Sequence, residues 1–187
     1  MTQERQIEYD CTYMNMAICM SQLSYAIRSK VGSIIVSKNG QIISQGFNGT
    51  PTGHDNCCED VICESHFNDG RCFCGCKDSE KSVYRCRTCD FGKLVTKKSV
   101  LHAESNAIAK CAKWLNTTEG GTIYVTLSPC YDCSKLIIQS GIKRVVFNEI
   151  YRNTEGLDNL VESGILVEQI DINNKTLTKW DISHSEN

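Results

Sequence analysis

The chain has 187 residues, is 41% hydrophobic and carries a formal net charge of −2 at pH 7. That length suits one domain with a sizeable core, and the slight acidity excludes the strongly basic surface of a general nucleic-acid binder. No apolar run approaches the ~20 residues of a membrane span, and Met1-Thr2-Gln3-Glu4-Arg5-Gln6 lacks the basic-then-apolar order of a signal peptide, so a cytoplasmic protein with no membrane partner is expected (the host cytoplasm if the source is a virus).

Residues 7–27 predict a helix, because Ile7, Met14, Ala17, Ile18 and Ala26 recur near a 3.6-residue period without a proline. Val31-Gly32-Ser33-Ile34-Ile35-Val36 is a β-branched run, Asn39-Gly40 is a two-residue hairpin signal, and 41–47 is the return strand. Asn48 to Gly53 has loop composition. From 54 to 99 the periodicity is lost. This stretch is expected to be an insertion within a single domain spanning 1–187, and a loop that long needs its own support.

Order returns at His102. Residues 102–115 predict a helix apolar around most of its girth, and Gly120-Gly121 breaks it. Residues 122–127 predict a covered strand, 130–139 a helix, 143–148 a strand, 155–163 a short helix and 164–170 a last strand. The tail from Asp171 is polar apart from Leu177, Trp180 and Ile182. This alternation of strand and helix implies a mostly parallel α/β sheet covered on both faces, with the helix near 155–163 making the last two strands parallel.

Thirteen cysteines is a large number for such a chain. In a reducing compartment disulfides are rare, so dense cysteines read as metal ligands. Eight of them (Cys57, Cys58, Cys63, Cys72, Cys74, Cys76, Cys86, Cys89) fall in the insertion. With His54 and His66 nearby they could bind one or two zinc ions, or remain free thiols in a loose loop. Cys11, Cys19 and Cys111 lie on helical patterns and read as small buried hydrophobes.

The chemistry concentrates between His102 and Cys133. His102, Cys130 and Cys133 offer one imidazole and two thiolates, a donor set for tetrahedral zinc with one position left for water. The cysteines are three apart at a helix start, where free N–H groups and the helix dipole favour thiolates. Glu104, two residues from the histidine, can carry protons between water, substrate and leaving amine. The Ser128 carbonyl, beside a metal ligand, suits an amino-group donor. His-Ala-Glu followed by Pro-Cys-Tyr-Asp-Cys is the zinc-deaminase pattern of paired H-x-E and P-C-x-x-C.

With the segments 31–36, Gly46-Phe47-Asn48-Gly49-Thr50-Pro51-Thr52-Gly53, His102-Ala103-Glu104-Ser105-Asn106-Ala107-Ile108, 124–135 and Gln139-Ser140-Gly141-Ile142-Lys143, the chain resembles the cytidine deaminase superfamily. Within it the chain resembles the deoxycytidylate deaminases, most nearly those of T-even-like phages and bacteria. The resemblance implies a three-layer α/β/α fold with a mixed five-stranded sheet, an N-terminal antiparallel hairpin and parallel C-terminal strands. It implies hydrolysis of dCMP to dUMP for thymidylate synthesis, activation by dCTP with Mg²⁺, inhibition by dTTP, and a homo-oligomer, usually a hexamer. Asn48 matches the asparagine that holds the sugar, and Tyr151 a tyrosine that closes over the substrate. Ala103 and Ser128 complete the implied substrate set. Arg28, Lys30, Asn48 and Gly49 match regions that contact nucleotide phosphates or effector, although Arg28 and Lys30 also read as a solvated pair after a helix. Cys58 and Cys63, joined by the Cys86-x-x-Cys89 half-site, resemble a second, structural zinc site. The rival readings are another nucleoside, base or nucleic-acid deaminase, and a zinc-ribbon interaction module on a degenerate scaffold.

Overall fold

The computed structural model describes residues 2–63 and 92–182. In chain order the elements are α1 (Gln3–Ser21), β1 (Gly32–Val36), β2 (Ile42–Phe47), β3 (Glu59–Cys63), β4 (Gly92–Thr96), α2 (Ala103–Lys113), β5 (Thr122–Leu127), α3 (Tyr131–Gln139), β6 (Arg144–Glu149), α4 (Glu155–Glu162), β7 (Leu166–Asp171) and β8 (Thr176–Lys179). Six strands form one sheet in the order β2-β1-β5-β6-β7-β8.

Side-chain alternation along the strands sorts apolar residues onto both faces of this sheet. Ile34, Val36, Tyr124, Val146 and Ile170 meet Cys11, Met14 and Ala17 of α1. Ile35, Ile123, Val125, Val145, Phe147 and Val167 face Ala107 of α2, Ile137 of α3, and Leu157 and Leu160 of α4. The result is the expected three-layer α/β/α architecture. β5, β6 and β7 run parallel, joined by α3 and α4, whereas β1 is antiparallel to β2 and β5.

Several expectations are corrected. The sheet has six strands rather than five, because the polar tail returns as β8, antiparallel to β7. Trp180 anchors that return: it is buried, and its ring meets Phe147 edge-on at 6.0 Å. The first helix stops at Ser21 rather than near 27. No local breaker ends it. Long-range partners take the chain instead: Ser24 Oγ donates to the Asn48 carbonyl at 2.7 Å, and the Ile27 and Arg28 amides donate to Glu59 Oε1 at 3.0 and 3.2 Å.

The β1–β2 connection is not a two-residue turn. The Gly40 amide donates to the Ser37 carbonyl and the Ser37 amide to the Gln41 carbonyl, so Lys38-Asn39-Gly40 is the loop. Gly40, at φ 81°, supplies the left-handed residue that such a turn needs. Cys19 is exposed, unlike the buried Cys11 and Cys111. The insertion has regular structure at both ends, since β3 and β4 pair antiparallel from Glu59↔Thr96 to Cys63↔Gly92. Two five-residue strands are too short to display a period. Cys63 lies at the end of β3, while Cys86 and Cys89 fall outside the described residues, as do Cys72, Cys74, Cys76 and His66.

A buried ionic cluster ties α1 to the sheet. Asp10 is fully enclosed. It accepts from Arg144 Nη1 and Nη2 at 2.7 and 2.9 Å, from Tyr124 Oη at 2.6 Å and from Gln6 Nε2 at 3.0 Å. Arg144 Nε bonds Glu168 at 2.7 Å. Among the described residues, no helix is long and apolar enough to cross a membrane.

Candidate active site

Two helix starts converge beside the carboxyl ends of β5 and β6. His102 is the N-cap of α2 and Cys130 the N-cap of α3, and neither side chain makes a capping hydrogen bond. Both are thereby available to a ligand, and the first-turn amides of each helix lend positive potential. α2 is held down by two buried hydroxyls: Ser33 Oγ donates to the Ala103 carbonyl at 2.8 Å and Ser44 Oγ to the Ala107 carbonyl at 2.7 Å. α3 is held by α4. Asn159 Nδ2 donates to Ser134 Oγ at 2.7 Å. Gly156 of α4 lies so close to the chain before α3 that a Cβ there would meet the Pro129 carbonyl oxygen at 2.2 Å and the Cys130 carbonyl carbon at 2.7 Å.

His102 Nδ1 lies 3.4 Å from Cys130 Sγ and 3.4 Å from Cys133 Sγ, and the three donor atoms all fall within 4.8 Å of one another. Nitrogen and sulfur bound tetrahedrally to zinc at ordinary lengths stand about 3.6 Å apart. The donor chemistry and the spacing therefore both fit zinc. Hydrogen bonding from the Cys133 thiol, and after it from His102, outweighs burial and lowers the Cys130 pKa to about 4. The same contact with Cys130, with burial, pushes Cys133 up, so a divalent cation is what would ionise both. Hydrogen bonding to Cys130 raises the His102 pKa. Glu104 is 3% exposed, and burial lifts its carboxyl above the usual range. Set on the cleft beside the donor set, this carboxyl is placed both to take and to give a proton.

These groups open into a cavity of about 170 Å³ lined by His102, Ala103, Glu104, Ser128 and Cys130, and by Arg28, Asn48 and Tyr151. The Cytidine and deoxycytidylate deaminase zinc-binding region, as a family profile, matches residues 7–149. The chain belongs to this deaminase family. It is similar to the deoxycytidylate deaminase of Enterobacteria phage T4, with 36% identity over 91% of this chain and 94% of that one. It is likewise similar to the deoxycytidylate deaminase of Mycobacterium phage D29, with 33% identity over 75% of this chain and 94% of that one. Among solved structures it resembles the dCMP deaminase of cyanophage S-TIM5 in complex with dCMP and dUMP, at 36% identity, a TM-score of 0.67, and coverage of 91% of this chain and 99% of that one.

In this deaminase the cleft gathers most of the residues expected from sequence. The Ser128 amide donates to the Glu149 carbonyl, and Ser128 Oγ accepts from the Tyr151 amide at 2.7 Å, which fixes Tyr151 against the β5–α3 turn. The Asn48 amide is engaged with the backbone. Its Oδ1 accepts from Val31 N–H at 2.8 Å, and its Nδ2 donates to the Ser29 carbonyl at 2.8 Å. Lys30 and Gly49 do not line the cleft; Gly49 instead exchanges backbone hydrogen bonds with Leu101. Cys58 is buried, with its thiol directed at the Asn56 carbonyl. The sequence gives no sign of Thr96, near the insertion's C-terminal end, or of Val100, just after it, and both line the cleft. Nor does it mark Glu59 and Gly156, whose partners are far away in sequence and leave no local signal.

Proposed function

We propose that this deaminase hydrolyses dCMP to dUMP and ammonia, supplying dUMP for thymidylate synthesis. The observation that carries the reading is the cleft, which joins a His/Cys/Cys donor set and a buried carboxylate to one arginine, the single Lys or Arg that lines it among the described residues. Likeness to the cyanophage enzyme solved with dCMP and dUMP supports the choice of nucleotide.

His102, Cys130 and Cys133 hold the zinc. When bound it supplies a water that ionises near neutrality instead of at a pKa of ~15.7. Glu104 takes the proton from the attacking water and delivers it to the ring nitrogen beside the carbon under attack. The same carboxylate then takes the remaining proton, from the hydroxyl added to that carbon, and passes it to the departing amine, so the carbonyl forms, water is consumed and ammonia is released. The Ser128 carbonyl accepts from the exocyclic amino group. The Ala103 N–H, first in α2 and without an intrahelical acceptor, donates to the base. Asn48 uses its remaining donor and lone pair on the sugar, and Tyr151 covers the substrate. Arg28 pairs with the 5′-phosphate.

The family resemblance extends the proposal to regulation. In this reading dCTP with Mg²⁺ activates, dTTP inhibits, and the chain assembles as a hexamer. Lys30 and Gly49, outside the cleft, serve the effector, and Cys58, Cys63, Cys86 and Cys89 hold a structural zinc.

The test is ammonia release from dCMP by the zinc-loaded protein, with and without dCTP and Mg²⁺. Turnover on dCMP is expected. No release under either condition, or faster deamination of a cytosine-containing oligonucleotide, would overturn the reading. Zinc content per chain separately tests the second metal.

A further inference from the structure

Glu59 is 4% exposed, yet among the described residues no cation pairs with it. A carboxylate is costly to bury unless hydrogen bonds or an opposite charge compensate it. Here the compensation is specific. Glu59 Oε1 accepts the backbone N–H of Ile27 at 3.0 Å and of Arg28 at 3.2 Å. Directly opposite Glu59 across the β3–β4 hairpin stands Thr96. Thr96 Oγ1 accepts from Arg28 Nη1 at 3.2 Å. Opposed residues of an antiparallel pair project from the same face, so one cross-strand pair holds Arg28 at both ends, backbone and guanidinium. Arg28 forms no ion pair of its own among the described residues. Its charge is left available to the cleft it lines.

We infer that Glu59 and Thr96 are positioning residues that hold Arg28 in place for the 5′-phosphate, so that the hairpin opening the insertion sets selection for a nucleoside monophosphate. This rests on the proposed dCMP reading. Without Glu59 the 27–28 backbone loses its acceptor, and Arg28 must be ordered at the expense of binding the phosphate. The loss falls on binding of a group remote from the reacting carbon. It raises KM and spares kcat, as removal of uniform binding does.

The experiment measures steady-state dCMP deamination by zinc-loaded Glu59→Ala, Glu59→Gln, Thr96→Val and Arg28→Ala, and by each of the first three combined with Arg28→Ala. Glu59→Ala is expected to raise KM about tenfold, the scale of one charge-assisted hydrogen bond, with kcat and zinc content unchanged. Glu59→Gln keeps Oε1 as an acceptor and should restore most of the binding. Thr96→Val should raise KM severalfold, and it keeps the test open if Glu59→Ala folds poorly. On the Arg28→Ala background none of the three should add to the loss. A fall in kcat at constant KM, or losses that multiply with Arg28→Ala, would overturn the inference while leaving the dCMP reading intact. An unchanged KM in Arg28→Ala would remove the phosphate contact itself. Wild-type protein inert towards dCMP would remove the reading beneath both.

Discussion

Arg144→Met should destabilise the fold by about 3–5 kcal/mol, the range for removing one partner of a buried ion pair. Asp10 is fully enclosed and loses two guanidinium bonds, at 2.7 and 2.9 Å, and Glu168 loses one at 2.7 Å. Methionine fills part of the volume but satisfies neither carboxylate. At ~2–4 °C per kcal/mol for a chain of this size, melting should fall by roughly 6–20 °C. The pH dependence makes the test specific. Burial acts to raise the Asp10 pKa, but hydrogen bonds from Arg144 and Tyr124 outweigh it and hold the pKa below the ordinary carboxylate value. A group lowered on folding adds stability that is fully present above its unfolded pKa, ~3.9, and lost as pH falls through the folded value. In the variant burial prevails, the pKa rises, and protonation relieves the penalty as pH falls. The stability difference between wild type and variant should therefore be largest near pH 7 and shrink towards pH 4.5. Urea denaturation followed by far-UV circular dichroism at both pH values, with matched zinc content, measures it. A difference below ~1 kcal/mol at pH 7, within the ordinary scatter of point mutants, or one that does not change with pH, would refute the reasoning.

Glu104→Gln should retain zinc, since Glu104 is outside the donor set, while turnover drops by ~10²–10⁴, the usual contribution of a general acid–base group. Metal analysis beside ammonia release checks this. Gly156→Ala puts a Cβ 2.2 Å from the Pro129 carbonyl oxygen. It must move the Cys130 turn or α4, so affinity for zinc should weaken by about 10–100-fold in chelator competition. Cys130→Ala should lose metal and activity together. Trp180→Ala removes the ring that closes β8 over Phe147, and should cost about 3–5 kcal/mol in chemical denaturation.

What the sequence made legible was local. The β5–α3 turn can be read because Thr122 to Leu127 is a covered strand, and because Cys130 and Cys133 have a spacing that only a helix start makes useful. The parallel run of β5, β6 and β7 follows from the helical crossovers between them. What stayed hidden depends on partners distant in the chain. α1 ends at Ser21 because Asn48 and Glu59 claim the residues that follow. β8 exists because Trp180 finds Phe147, although a tail of threonine, lysine and asparagine shows little apolar pattern. The turn at Ser37–Gln41 escapes the sequence for a different reason: Asn-Gly is compatible with two loop lengths, and the longer one places only the glycine in the left-handed region. Within the site, His102, Glu104, Cys130 and Cys133 were visible as a motif. Glu59 was not, since an acidic residue beside two cysteines reads as ordinary surface until its hydrogen-bonded backbone partners are seen.

The engagement of Asn48 bears on how mutants of this family are interpreted. One carboxamide closes two backbone contacts, to Ser29 and to Val31, at the entrance to the first strand. Aspartate in its place would turn an acceptor towards the Ser29 carbonyl, and alanine would leave two main-chain groups unsatisfied. Either change alters the shape of the cleft before any ligand arrives. Lost affinity after substitution at Asn48 therefore confounds architecture with recognition. The two separate only when the backbone of 29–31 is followed independently, for example by amide chemical shifts in the ligand-free protein.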